Sequence, residues 1–392
     1  MTLRLFLIAG EPSGDRLGAA LMAGLKTLAG EVEFHGVGGP LMAAEGLQSL
    51  FPMERLSVFG LAEVLPKLRE LFALKDKAAR AVLDLRPDAL ITIDSPDFCL
   101  RVAKAVKDRA PDLRTIHYVA PSVWAWRPKR AAKMARHIDH VLALLPFEPP
   151  YMEAAGMSCD FVGHPVVAEP QASAAEIAEF RAAHGIAPDA PLLLVLPGSR
   201  RSEVTRLAPV FGQAIAPLMA AHPDLRVVLP TVAHVAPLLP DLLQGWPLQP
   251  LVLGPSGQTP ESVTAQKRAA FGAADLALAA SGTVSLELAA SATPMVIAYD
   301  MNRVTWTLMR RAALIDTVTL VNLVSETRVI PEFLGPACRP DAIGAALVDL
   351  ASNPAARAAQ DAAMATTMER IGQGGEAPGL RAARSVLAAI SR

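Results

Sequence analysis

The feature that most limits this chain is a repeated punctuation: short apolar runs, most of them ending in Gly, Pro or Asp, alternate with stretches whose apolar residues recur at helical spacing. RLFLIAG at the start is followed by ALITID (Ala89 to Asp94), RTIHYVA (Arg114 to Ala120), HVLALLP (His140 to Pro146) and CDFVGHP (Cys159 to Pro165). Residues 166 to 190 are polar and irregular. The pattern then restarts with LLLVLP (Leu192 to Pro197), LRVVLP (Leu225 to Pro230), PLVLG (Pro250 to Gly254), DLALAA (Asp275 to Ala280) and PMVIAY (Pro294 to Tyr299). Strand followed by helix, many times over, predicts α/β domains with parallel sheets covered on both faces. The restart predicts two doubly wound, Rossmann-like domains facing one another, with a cleft between the carboxyl ends of their sheets, where such sheets take their ligands.

Charge excludes one class of partner. The 37 Lys and Arg residues balance 38 Asp and Glu residues, so there is no global field to draw in nucleic acid. Cys99, Cys159 and Cys338 are odd in number and widely spaced, which predicts neither a disulfide framework nor a zinc site and suggests a reducing cytoplasm. The apolar stretch after Arg4 is too short for a signal peptide and runs into Glu11. No uninterrupted apolar run reaches the ~18 residues that would span a bilayer.

The turn after the first run reads GEPSGDRLGA, Gly10 to Ala19. It lacks the Lys-Ser/Thr of a Walker loop and the spacing of a dinucleotide fingerprint. Asp94 ends an apolar strand and Asp97 lies in the following loop; a carboxylate facing the cleft could take a proton from a sugar hydroxyl, or simply cap the next helix. APSVWAWRPKR, from Ala120, sets Trp124 and Trp126 beside Arg127, Lys129 and Arg130.

The second half carries two phosphate-friendly turns. PGSRRSEV (Pro197 to Val204) follows a strand and opens a helix, bringing backbone N–H groups, a helix N-terminus and Arg200 together. SGTVSLELA (Ser281 to Ala289) repeats the device, with Ser281, Gly282 and Thr283 in the turn and Glu287 one helical turn inside, placed to accept from ribose hydroxyls. The pair predicts a nucleoside diphosphate site.

These motifs, with IDSPDF, PFE (Pro146 to Glu148), GHP (Gly163 to Pro165) and VNLVSE (Val321 to Glu326), occur in an order that resembles the lipid-A-disaccharide synthases over nearly the whole chain. The resemblance implies a GT-B glycosyltransferase. It would transfer 2,3-diacylglucosamine from a UDP donor to 2,3-diacylglucosamine 1-phosphate, giving the β(1→6) lipid A disaccharide 1-phosphate and UDP. It implies Asp94 as general base and Arg200, Glu287 and Asn322 as ligands. It places Glu11, Ser13, Gly14 and Asp15 in an acceptor-side turn whose carboxylates would bond sugar hydroxyls. Arg201 departs from the small residue expected there, so Arg200 is the arginine assigned to phosphate. No metal or cofactor is implied, and no Asp-x-Asp pair occurs.

The domains expected are 1–168 on the acceptor side, 169–360 for the UDP-sugar, and 361–392 as C-terminal helices packing back on the first domain. The acyl chains of such substrates imply a cytoplasmic protein held peripherally at the inner membrane. Leu56 to Lys75, apolar at helical spacing but charged at Glu63, Lys67, Arg69 and Glu70, could lie in an interface or in the core. Homo-oligomerisation stays open. A non-hydrolysing UDP-sugar epimerase would share the fold and nucleotide site but have no need of acyl-chain surface, and a two-domain solute-binding protein should carry an export signal.

Overall fold

The computed structural model describes residues 2–56 and 61–391, the side chains of 61–67 excepted. The chain forms two compact units: Met1–Ala168 with Ile371–Arg392, and Glu169–Arg370.

The first unit holds a seven-stranded parallel sheet of β1 (Leu3–Ala9), β2 (Val32–Val37), β3 (Gln48–Ser49), β4 (Ala89–Ile93), β5 (Arg114–Tyr118), β6 (His140–Ala143) and β7 (Ser158–Phe161), in the order β3-β2-β1-β4-β5-β6-β7. Its central strands are buried on both faces, which is why they read as unbroken apolar runs rather than alternating ones. Thr92, the polar residue inside β4, donates to the Ile116 carbonyl and lies 2.7 Å from His117 Nδ1. Strand order reverses between β1 and β4. That reversal brings the Gly10 turn and the Asp94 turn side by side at the carboxyl edge.

The second unit repeats the plan with six parallel strands: β8 (Leu192–Leu196), β9 (Arg226–Pro230), β10 (Leu251–Leu253), β11 (Leu276–Ala280), β12 (Met295–Tyr299) and β13 (Glu332–Leu334), ordered β10-β9-β8-β11-β12-β13. Here the reversal falls between β8 and β11, the strands that feed the two phosphate-friendly turns. Among the described residues one helix, Arg201–Ala221, is long and apolar enough to cross a membrane. It buries Val204, Leu207, Phe211, Ile215 and Leu218 in this unit's core and so acts as a core helix.

Helix Pro12–Ala29 starts with proline in its first turn, buries Leu17, Leu21, Met22 and Leu25, and stops at Gly30, whose φ of 75° suits a residue without Cβ. It packs against the C-terminal helix Pro378–Ile390. At Gly24 a Cβ would stand 2.6 Å from the Gly379 carbonyl oxygen, so the backbones meet closely only because both residues lack side chains. The C-terminal helix adds Ala382, Ala383, Val386 and Ala389 to the first core. His140 of β6 lies 2.8 Å from Ser385 Oγ, Ser385 donates to Asp160 of β7, and Arg381 donates to the Phe161 carbonyl. Residues 361–370, by contrast, are the last turns of helix Pro354–Arg370 in the second unit, which Gln360 fastens to both backbone groups of Met295. Of the region from 361 onward, only the part from Ile371 belongs to the first unit.

Candidate active site

At the carboxyl edge of the first sheet, carboxylates and hydroxyls form a short chain of hydrogen bonds. Ser13 Oγ donates to Asp94 Oδ2 at 3.0 Å and the Ser95 amide donates to Asp94 Oδ1 at 2.9 Å, while Ser95 Oγ donates to Glu11 Oε1 at 3.3 Å. Asp94 and Ser95 both sit in left-handed backbone conformation, with φ of 53° and 40°, and Val119 at the end of β5 has φ of 84°. Such conformations cost ~1–3 kcal/mol each and cluster at functional sites. Asp94 is half-buried, with one hydrogen bond on each oxygen and acceptor capacity left on both. Asp97, three residues on, is 100% exposed and has Arg130 at 3.5 Å. Gly14 is buried under the turn, where a Cβ would lie 3.3 Å from both Ala9 Cβ and the Ile93 oxygen.

Two of the sequence motifs meet at Glu148. Its carboxylate is buried and accepts from Trp124 Nε1 at 3.1 Å and from the Leu144 and Leu145 amides at 3.1 and 3.0 Å. Burial pushes its pKa up to about 7, against the pull of those donors. Trp124 also meets Phe147 edge-on at 5.1 Å. Trp126 is stacked by Arg127, 3.9 Å from the ring centroid. Trp124 thus holds the loop after β5 against the loop after β6.

The second unit holds a pocket of about 480 Å³ at the carboxyl ends of β8, β9 and β11. Gly198, Ser199 and Arg200 line one side and Ser281, Gly282, Thr283 and Glu287 another, so the structure joins the two turns that the sequence singles out. Lys267, from helix Pro260–Ala273, completes the wall, with Phe271 and Val232 as apolar floor. Each cation already holds a carboxylate: Arg200 Nη1 is 2.8 Å from Glu203 Oε1, and Lys267 Nζ is 2.6 Å from Glu287 Oε2. Glu203 also accepts from the amides of Ser199 (3.3 Å) and Arg200 (3.2 Å) and from the Tyr299 hydroxyl (3.2 Å). Burial first, and the Glu203 charge second, raise the pKa of the Tyr299 hydroxyl. Gly198 has φ of 113°, and a Cβ there would fall 2.6 Å from Glu203 Oε2. A carboxylate therefore occupies the amide cradle in which the sequence places phosphate.

Two expected ligands are engaged elsewhere. Asp15 is 2% exposed; it accepts from the amides of Gly39 (2.9 Å), Leu41 (3.0 Å) and Met42 (3.0 Å), holding the loop after β2. Asn322 is 1% exposed, and its amide bonds both backbone groups of Ile330 at 3.0 Å and Thr317 Oγ1 at 3.3 Å. In both, the polar atoms face backbone and are closed to solvent.

The family model described as lipid-A-disaccharide synthetase matches residues 5–378. A lipid-A-disaccharide synthase of Ruegeria pomeroyi is 63% identical over 385 residues, covering 98% of this chain and 95% of that one. The chain belongs to the lipid-A-disaccharide synthase family. Among solved structures, the calicheamicin glycosyltransferase aligns with a TM-score of 0.58 at 19% identity, covering 100% of this chain and 99% of its own. The UDP-GlcNAc 2-epimerase of Neisseria meningitidis, bound to UDP-GlcNAc, aligns with a TM-score of 0.62 at 11% identity, covering 99% and 98%. At these identities the two share the fold alone. The epimerase alternative is a neighbour in fold, whereas family membership makes this chain a glycosyltransferase with the α/β two-domain architecture of GT-B enzymes.

Sequence reading misses Lys267, Glu203 and Tyr299. Lys267 carries no motif of its own and reaches the pocket from a neighbouring helix. Glu203 stands inside the quoted PGSRRSEV turn, and its spacing of three from Arg200 is the one signal that could have paired them.

Proposed function

We propose that this chain transfers 2,3-diacylglucosamine from its UDP donor to the 6-hydroxyl of 2,3-diacylglucosamine 1-phosphate. The observation that carries this reading is the pocket in which Arg200, Lys267 and the Ser281–Thr283 turn converge within a chain of this family. In this reading the second unit holds UDP and the first holds the acceptor. The acceptor oxygen attacks the anomeric carbon, the bond from that carbon to the diphosphate oxygen breaks with its electron pair, and UDP leaves. Arg200 and Lys267 balance the charge that collects on the diphosphate. Asp94 takes the hydroxyl proton; Ser13 and the Ser95 amide support the choice by orienting its carboxylate, and Glu11 is assigned to an acceptor hydroxyl. Glu287 is assigned to the ribose, using the oxygen not held by Lys267.

The proposal includes peripheral association with the inner membrane. Leu68 and Phe72 of helix Leu61–Leu85 are exposed, with Lys75 and Arg101 each 5.8 Å from the Phe72 ring centroid, while Leu74, Ala78 and Val82 face the core. Val58 and the side chains of Leu61 and Leu65, in the segment that the sequence offers for an interface, lie outside the described residues. The test is to incubate the purified protein with both lipid substrates and follow UDP and disaccharide 1-phosphate. Stoichiometric appearance of both is expected. Turnover of the donor to an epimer, without UDP release, would sink the reading.

A further inference from the structure

The helix Arg303–Ala312, RVTWTLMRRA, leaves β12 at the same carboxyl edge on which the pocket opens, and none of its residues is buried. Val304 is 71% exposed, Leu308 61%, and Leu314, just beyond the helix, 59%. Residues 304 and 308 are one helical turn apart and share a face. The helix is nonetheless anchored: Asn302 Oδ1 caps it by accepting from the Thr305 amide at 2.8 Å, and Trp306 lies over Gly335, where a Cβ would meet the indole. With the indole turned toward the unit, the apolar pair faces outward. Charge runs one way. From Met301 to Ile315 there are three arginines and no acid. The flanking acids are engaged, Asp300 with Arg206 at 3.4 Å and Asp316 with Arg328 at 2.6 Å. Among the described residues no carboxylate pairs with Arg303, Arg310 or Arg311.

We infer that the Arg303–Ala312 helix docks the second unit on an anionic lipid bilayer. A protein partner would be expected to meet a groove or a flat apolar patch, whereas this is a narrow apolar ridge on an exposed helix, flanked by arginines able to reach phosphate headgroups. That is the composition of a helix lying in the interfacial plane. The inference extends the membrane association proposed above to a second contact surface, and it does not depend on which reaction the pocket carries out.

The experiment is co-sedimentation of the full chain with vesicles of phosphatidylcholine alone or with added phosphatidylglycerol, with UDP binding by calorimetry as the check that the second unit is folded. The wild type is expected to prefer the anionic vesicles, and added salt should weaken that preference. V304S/L308S should lower partition at least tenfold, and R310E/R311E should remove the anionic preference, both with UDP affinity kept. Both variants partitioning like the wild type would overturn the docking role of this helix while leaving membrane association standing. A wild type that binds neither vesicle would overturn both. A concentration-dependent dimer of the wild type, abolished by V304S/L308S, would assign the ridge to a second copy instead and likewise overturn the inference.

Discussion

Replacing Asn322 by alanine separates a structural role from a ligand role. The side chain accepts from the Ile330 amide and donates to the Ile330 carbonyl, both at 3.0 Å, and Ile330 is itself 1% exposed. Alanine leaves both backbone groups buried without a partner, and each such group costs ~1–3 kcal/mol. The sum, ~4 kcal/mol, corresponds to ~10³-fold in the local opening equilibrium. Because two units make a single unfolding free energy ill-defined, the readout should be local. Hydrogen exchange across residues 326–334 should speed up by ~10²–10³-fold, the urea midpoint should fall, and UDP affinity should stay within about threefold of the wild type. The opposite pattern, UDP binding lost with exchange and urea midpoint unchanged, would return Asn322 to the ligand site and refute the argument.

Arg200→Ala should weaken UDP binding by ~1.5–3 kcal/mol, as expected for one charge-assisted contact, and calorimetry showing unchanged affinity would remove Arg200 from the site. Asp94→Asn should lower kcat by ~10²–10⁴ with UDP affinity unaltered, whereas Asp97→Asn should cost far less; the reverse ranking in steady-state assays would exchange their roles. Stability of the first unit should depend on pH with a maximum. Burial lowers His117 and His164 from 6.5 to about 4, so their unfolded forms bind more protons, and stability rises as pH climbs from about 4 to 6.5. Glu148, raised from 4.5 to about 7, acts with the opposite sign and removes stability as pH rises through that window. The two histidines outweigh Glu148 until near neutrality, where what is left of their contribution balances the half-titrated Glu148, so the calorimetric midpoint should peak near about pH 7. A midpoint falling steadily from pH 4.5 upward would contradict this assignment.

The central strands were legible because burial on both faces leaves them uniformly apolar, as in LRLFLIA and ALITI. Two of the edge strands were not. Gln48–Ser49 is polar and two residues long, and Glu332–Leu334 is half-exposed, so neither carries an apolar run. In the site, the turns at Ser199 and Ser281 could be read because strand, small turn and helix are contiguous in sequence. Lys267 could not, since the helix that carries it is placed by tertiary packing. Asp15 and Asn322 show a different limit. A carboxylate or amide beside a turn satisfies a ligand or a backbone equally well, and the partners that decide, Gly39 to Met42 and Ile330, lie on other segments.

The return of the last helix to the first sheet sets an order of events during synthesis. Ala382, Ala383, Val386 and Ala389 belong to the first core, yet they follow the whole of Glu169–Arg370 in the chain. A ribosome must therefore finish the second unit before the face of Pro12–Ala29 that carries Gly24 can be covered. The unit made second is the first able to close, and until then the earlier one exposes an apolar face that a chaperone would recognise. A released chain that ends at Arg370 should resist protease across 169–370 and be cleaved within 1–168; equal protection of both would contradict that order.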